Sequence, residues 1–370
     1  MLTPEYLNII EFNDVVDIYT KLNINITADI IRRVSAMGNI SSATKNQIKI
    51  LVQTNGKEIF EKTLMETSML TADRKKALKE LFEDVAKNDI QVYKELYKYR
   101  NKPFKLSNTQ YQILNAGLKQ TDRILKNFTN TIAFRSKQTY VDIVDEAYTK
   151  VISGAFDYAT AINQAVQKLA DKGVTLKDSA GRNVQLEVAV RRNVMSGIEQ
   201  TTGSMNESIE DDLGCDGYEV PAHFGARPTH AEAQGKQYAK NHNSKISKKY
   251  PLWSTVSDLW EEYGCRHKGA THGIILGISK PQYTEKELEE MKNAKVILNS
   301  ESVPLYEATQ KQRALENKIR HQKRTVQILE KSGQDVKKAK ANLAQTQKEL
   351  TAFCKETRLE KDYSRTRIAK

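Results

Sequence analysis

Leu315–Phe353 reads LENKIRHQKRTVQILEKSGQDVKKAKANLAQTQKELTAF. Leu315, Ile319, Gln322, Val326 and Leu329 alternate at spacings of four and three; Lys331–Gln334 interrupts, and Val336, Ala339, Leu343, Thr346, Leu350 and Phe353 resume the alternation. That period puts each set on one seam of a helix, and a short glycine-containing loop predicts two antiparallel helices closing on each other. Each arm should run roughly 30 Å, from about 20 residues at 1.5 Å each. The polar tail beyond, Arg358–Lys370, is expected to be frayed.

The same pattern extends toward the N-terminus. Between Glu5 and Val220 there is a single proline, Pro103, and apolar residues recur at helical spacing, as in Ile30, Ile31, Val34 and Met37 or Leu78, Leu81, Phe82 and Val85. Breaks are predicted at Gly38–Ser42, Asn55–Gly56 and Asn101–Phe104, with a loop or short hairpin over Asp171–Asn183. Past Gly214 the composition changes: four of seven prolines and eight of seventeen glycines fall between there and Pro281. Short runs such as Tyr218–Val220 and Ile274–Leu276 have strand length and β-branched content. The fold class expected is mainly α, in three parts: a helical N-terminal bundle (1–210), a small α+β module (211–285) and a C-terminal antiparallel helical hairpin with its tail (286–370).

The chain of 370 residues carries 58 Lys and Arg against 46 Asp and Glu. From Lys311 onward there are 17 basic and 7 acidic residues, so most of the excess is local. Ten uncompensated charges exceed what i,i+4 pairing with Glu316, Glu330 or Glu349 absorbs, which points to an acidic partner, DNA phosphate or an acidic protein surface. Lys318, Arg320, Lys323, Arg324, Lys337, Lys338 and Lys340 are the candidate contacts; no sequence-reading motif accompanies them. A mean hydropathy of -0.61 and the lack of a long apolar run predict a soluble protein without a membrane span. The opening MLTPEYLNIIEFND does not predict a signal peptide, and three cysteines do not make a disulfide framework, so synthesis and folding in a cytoplasm are expected.

Chemistry-bearing residues concentrate in Glu219–Ala239, EVPAHFGARPTHAEAQGKQYA, and Tyr263–Gly277, YGCRHKGATHGIILG. Zinc requires about four N or S donors. Of Cys215, His223, His230, His242, Cys265, His267 and His272, the short pairs are Cys265-x-His267 and His267-x4-His272, neither a CxxC knuckle. Hydrogen-bonded structural histidines fit better, and no metal or cofactor is expected. A nuclease reading would use His223 or His230 as base and Arg227 or Arg266 as phosphate clamp. A thiol-enzyme reading would pair Cys265 with a histidine. Neither has a diagnostic signature, whereas a structural latch needs less. In that reading Gly225 gives a tight turn, Pro228 opens a helix, Thr229 or a neighbour caps it, and His230–Gln234 begin it. Arg227 and His230 then tie this turn to the Cys265–Arg266–His267 loop.

HFGARPTHAEAQG (223–235), CRH (265–267) and GISKPQYTEKEL (277–288) together resemble the minor capsid, Mu-type head-morphogenesis, proteins of tailed bacteriophages. LEVAVRRNVMSGIEQTTG (186–203), LGCD (213–216), YEATQKQRALENKIRHQKR (306–324) and the opening MLTPEYLNII with ITADIIRRV (26–34) follow the same order. The departures are Ala233, where the family commonly has an aromatic, and Gly264, where it has Asn. The resemblance marks His223, Gly225, Arg227, Pro228, His230, Gln234, Cys265, Arg266 and His267 as the motif. It implies a structural, non-enzymatic virion protein working with portal and capsid proteins, at the capsid interior or portal vertex and beside packaged double-stranded DNA. Some relatives append a toxin or enzyme domain, which is not expected here.

Overall fold

Asn13 starts the first long helix by accepting the Val16 amide at 3.2 Å, and Asp14 and Asp17 place negative charge on the first turn. The computed structural model describes residues 6, 13–37, 45–260 and 271–368. Among the described residues, the α-helices up to Leu213 in chain order are α1 (Asp14–Ser35), α2 (Lys45–Met69), α3 (Thr71–Asp89), α4 (Lys94–Tyr99), α5 (Asn108–Ile152), α6 (Tyr158–Lys172) and α7 (Leu186–Leu213). The β1 (Thr175–Lys177) and β2 (Asn183–Gln185) hairpin joins α6 to α7, as the 171–183 reading allowed. The fold is mainly α.

Helix α1 is buried along most of its surface and runs through the middle of the bundle, with Tyr19, Ile24, Ile30 and Ile31 fully enclosed. Its buried Asn23 is satisfied at a distance: Oδ1 accepts the Val174 amide at 3.0 Å and Nδ2 donates to Glu187 at 3.2 Å. The 45-residue α5 opens on a Ser107–Gln110 capping box and extends about 68 Å along the bundle. It crosses α7 at two reciprocal notches. A Cβ on Gly117 would lie 1.8 Å from Thr201 Oγ1, and one on Gly197 would lie 2.1 Å from Thr121 Oγ1. Neither helix can approach so closely with a side chain at those positions.

The predicted break at Asn101–Phe104 is present, with Asn101 at φ 48°. The one at Asn55–Gly56 is not: α2 continues through it. There the Asn55 side chain bonds Tyr140 Oη (2.9 Å) and Arg33 (3.2 Å), and Gly56 lies where a Cβ would come 3.4 Å from Lys137, so tertiary contacts hold two weak helix formers in place. Gly38–Ser42 lies outside the described residues.

After α7 the chain forms β3 (Gly217–Glu219), a single turn α8 (Pro228–Ala231), β4 (Gln237–Ala239), a turn α9 (Ser257–Trp260) and β5 (His272–Ile274). The strands make one antiparallel sheet in the order β4-β3-β5, with Tyr218 opposite both Tyr238 and Gly273. Then come α10 (Glu285–Lys292) and an unanticipated ribbon, β6 (Lys295–Leu298) and β7 (Glu301–Pro304). It is closed by Asn299 and Ser300, both at positive φ as a two-residue hairpin turn requires.

The C-terminal hairpin is α11 (Leu305–Lys331) and α12 (Lys337–Thr357). At 27 residues, α11 is about 40 Å long, longer than expected. Ile319, Leu350 and Cys354 form its own seam, with Leu315, Leu343 and Phe353 alongside. The turn end behaves differently. Ile328 and Leu329 belong to the main bundle core, and Val336 and Ala339 pack on it, so the hairpin does not close solely on itself. The tail is docked rather than frayed: Gln312 donates to the Glu360 carbonyl (2.7 Å), Lys323 to that of Thr366 (2.7 Å), and Arg365 pairs with Glu316 at 2.6 Å. No helix among the described residues is long and apolar enough to cross a membrane.

Candidate functional site

The His223–Gln234 segment is the loop between β3 and β4. Its neck is closed by Gly235 N donating to Val220 O (2.8 Å) and Val220 N to Lys236 O (3.2 Å). Within it the Gln234 amide reads the His223 backbone both ways, accepting from its N–H at 3.1 Å and donating to its carbonyl at 3.2 Å. His223 Nδ1 lies 2.8 Å from the Phe224 carbonyl. Gly225, at φ +69°, turns the chain, and Pro228 occupies the first helical position, where its missing N–H is harmless.

Two details differ from the expected helix. Arg227, not Thr229, stands at the N-cap, without a side-chain capping bond, and the helix stops at Ala231. Gly235 then takes φ +71° and the chain turns into β4, its Cα so close to α10 that a Cβ would meet Leu288 at 2.1 Å. Thus the 223–235 block and the 277–288 block, far apart in sequence, pack together, and Lys292–Glu232 (2.7 Å) fastens the same edge. His230 is 2% exposed, beneath this turn. Ala233 packs with Val220 and Tyr238 against Trp253, while Tyr238 Oη donates to the Ala233 carbonyl at 2.9 Å. Cys265, Arg266 and His267 lie outside the described residues.

A second polar centre was missed by sequence reasoning. Tyr93 Oη donates to Glu210 Oε1 at 3.1 Å and accepts the Gly273 amide at 3.3 Å, while Lys240 Nζ reaches Glu210 Oε2 at 3.0 Å and lies over the Tyr218 ring. Gly273 must be glycine, because a Cβ would fall 2.3 Å from Glu210 Cγ. Burial raises the Glu210 carboxyl above its ordinary value despite Lys240, and burial followed by the Glu210 charge pushes the Tyr93 hydroxyl well up. Desolvation acts to lower the Lys240 ammonium, but Glu210 carries it above its usual value. The cluster joins the end of α7 to β4 and β5 and the segment before α4. The signal available in the sequence was a carboxylate between Ile209 and Leu213 on the apolar stripe of α7.

The cysteine beside this cluster is Cys215, not the Cys265 of the thiol-enzyme reading, which lies outside the described residues. Cys215 is buried and its thiol is pushed up to about 12, first by desolvation and then by Glu210, so it holds its proton at neutral pH. His272 Nε2 lies 3.1 Å from the side-chain Nε2 of Gln282, and His242 Nε2 2.9 Å from the Tyr250 carbonyl. Glu219, 1% exposed, accepts from Gln237 (2.7 Å) and the Gln282 amide (2.9 Å); burial raises its carboxyl. Among the described residues, no group of three or more His, Cys, Asp or Glu is placed to hold a metal ion.

The basic candidates divide into two groups. Lys318, Lys337, Lys338 and Lys340 are exposed; Lys340 pairs with Glu330 at 2.7 Å and Lys318 lies 3.8 Å from Glu349. Arg320 and Lys323 hold tail carbonyls of Arg365 and Thr366. Arg324 has to be withdrawn from any DNA-contact surface: it is 2% exposed and pairs with Glu187, its Nη atoms also reaching Gln185 Oε1 (2.5 Å) and the Asp171 carbonyl (3.1 Å).

Compared with known families, residues 2–355 match the one described as phage minor capsid protein 2. No curated protein and no solved structure matches the chain.

Proposed function

The chain belongs to the phage minor capsid protein 2 family, and from that premise we propose that it is a virion component that joins the portal and head during assembly and lies beside packaged double-stranded DNA. The family match over residues 2–355 carries this reading. A structural role in a phage is what membership establishes. Portal and DNA as the contacted partners, and a place at the capsid interior or portal vertex, are the proposal.

The geometry supports a division of labour. In this reading the bundle offers protein contacts. The 211–285 module, with its Gln234–His223 bridge and Glu210 cluster, acts as a rigid adaptor in which the motif residues are structural rather than catalytic. Lys318, Lys337, Lys338 and Lys340 form the electrostatic face toward DNA. Their side chains are exposed on two helices whose turn end packs on the bundle core. Backbone contact of this kind neutralises phosphates without reading bases.

Two measurements test the reading. Quantitative proteomics of purified particles should find the protein with portal, and particles assembled without it should be defective. Binding of the full chain to duplex DNA should weaken with salt at a log–log slope of about 0.9 per phosphate neutralised. Reversing Lys337, Lys338 and Lys340 to glutamate should flatten that slope without loss of helix. Absence from mature particles would refute the virion assignment; an unchanged slope in the triple variant would move the DNA face elsewhere.

A further inference from the structure

Toward its open end, the C-terminal hairpin carries one pattern on both helices: charge, alanine, large apolar residue, charge. On α11 it is Lys311, Ala314, Leu315 and Lys318; on α12 it is Glu349, Ala352, Phe353 and Glu356. The spacing in each is i, i+3, i+4, i+7, which keeps each set on one helix face. All eight line a single open groove between the helices, together with Leu298 and Asn299 of the β6–β7 ribbon. Lys318 Nζ stands 3.8 Å from Glu349. In an antiparallel pair of equal rise, that register places Lys311 opposite Glu356, Ala314 opposite Phe353 and Leu315 opposite Ala352.

The groove is therefore an apolar floor with a positive rail along α11 and a negative rail along α12. Within the chain the rails are lightly engaged: Gln345 donates to Glu349 at 3.2 Å, the Asn299 amide donates to Glu356, and the Lys318–Glu349 pair keeps 53% and 41% of its side-chain exposure. Leu315 and Phe353 lie beside the Ile319–Leu350–Cys354 seam, and each faces an exposed alanine that leaves room above it. A partner of one charge sign would satisfy one rail and be repelled by the other, whereas a second copy carries both. Two symmetric placements exist. A two-fold axis along the hairpin lays α11 of one copy over α12 of the other: Lys311 meets the partner's Glu356, Lys318 meets the partner's Glu349, and Leu315 settles over the partner's Ala352. An axis across the hairpin stacks α11 on α11 and sets lysine on lysine and glutamate on glutamate. Charge thus selects the first placement, in which every neighbouring helix is antiparallel.

We infer that this face pairs with the same face of a second copy, closing two hairpins into an antiparallel four-helix bundle. The two charges of each rail are about 10 Å apart, seven residues at 1.5 Å each, so the contact is two helices wide and only about two turns long. That is the lower end of the range for specific interfaces, and the pairing is weak and concentration-dependent rather than obligate. Lys318, one of the lysines turned toward DNA in the reading above, is taken up by this contact. Lys337, Lys338 and Lys340 stand at the turn end and stay open, and the pairing itself rests on neither portal nor DNA.

Sedimentation equilibrium of the full chain over roughly 1–500 µM at low salt should show a monomer–dimer equilibrium that weakens as salt is raised. Lys311→Glu with Lys318→Glu makes both rails negative, and Glu349→Lys with Glu356→Lys makes both positive. Each double variant should self-associate about tenfold or more weakly, since four attractive contacts become four repulsive ones. Mixed in equal amounts, the two variants should form a heterodimer at least as tight as the parent pair, a recovery that misfolded variants cannot give. A parent chain that stays monomeric throughout, a dimer indifferent to both reversals, or a mixture that fails to pair would each overturn the inference. Protection of the 311–318 amides from exchange by added portal protein, without self-association, would give the groove to that partner and overturn it likewise.

Discussion

Glu187→Gln removes the carboxylate from a guanidinium that cannot reach solvent. Arg324 keeps 2% of its side-chain exposure and Glu187 16%, so the pair is buried, and taking away one partner of such a pair costs about 3–5 kcal/mol. The glutamine retains a neutral acceptor, and Gln185 and the Asp171 carbonyl remain in place, which puts the expected loss near the lower limit, about 3 kcal/mol. Because Glu187 starts α7 and Arg324 lies on α11, that loss should appear first as release of the hairpin. Urea unfolding followed by far-UV circular dichroism, in buffer free of phosphate and sulfate, should give a lower midpoint. Hydrogen exchange should show α11 and the tail opening before α5. Adding Arg324→Met to the same chain removes the stranded charge, and the double variant should recover about 1.5 kcal/mol or more relative to strict additivity. A Glu187→Gln protein within about 0.5 kcal/mol of the parent, or a double variant with additive losses, would refute the assignment of this pair as the hairpin's anchor.

Gly197→Ala gains about 1 kcal/mol of helix propensity but pushes a Cβ to 2.1 Å from Thr121 Oγ1, an overpacking worth about 1–3 kcal/mol, so a net loss near 1 kcal/mol is expected. Thr121 Oγ1 has no hydrogen-bond partner among the described residues, so Thr121→Ala in the same chain should relieve the clash; a double variant no better than Gly197→Ala would contradict the notch. For Glu219, folded-state burial raises the carboxyl above its ordinary 4.5, so the folded chain binds more protons than the unfolded one from there upward. Stability is then fullest below 4.5 and declines as pH rises through the raised value. Glu219→Gln should shrink the decline in urea midpoint between pH 4.5 and neutrality, with Glu210 carrying the remainder, and an identical slope in both proteins would dismiss the effect. Removing Tyr306–Lys370 exposes the core surface covered by Ile328, Leu329, Val336 and Ala339. The truncated chain should therefore bind a hydrophobic dye and melt lower; an unaltered melt would show the hairpin to be an independent appendage.

What was legible in the sequence was periodic or locally cued. The seams of α11 and α12 could be read because residues three and four apart share a face, and Pro228 and Gly225 could be read because their φ preferences are intrinsic. What was hidden depended on partners remote in sequence. Arg324 looks like one more solvated charge on a basic helix until Glu187, 137 residues earlier, is brought beside it. Likewise Asn55–Gly56 has the composition of a break, and only the packing of Tyr140 and Lys137 overrides it. The tail follows the same logic. Arg358–Lys370 has too few apolar residues to predict docking, yet Lys323 and Gln312 take its carbonyls, and Arg365 and Arg367 find Glu316 and Asp17. Local excess charge therefore measured two different things. The lysines at 337, 338 and 340 are a surface, whereas Arg320, Lys323 and Arg324 are joints between segments, Arg324 joining more of them than Lys323 does. A guanidinium with several directed donors can satisfy carbonyls and carboxylates from different elements at once, while a hydrated ammonium on a flexible stem gains more by remaining in solvent.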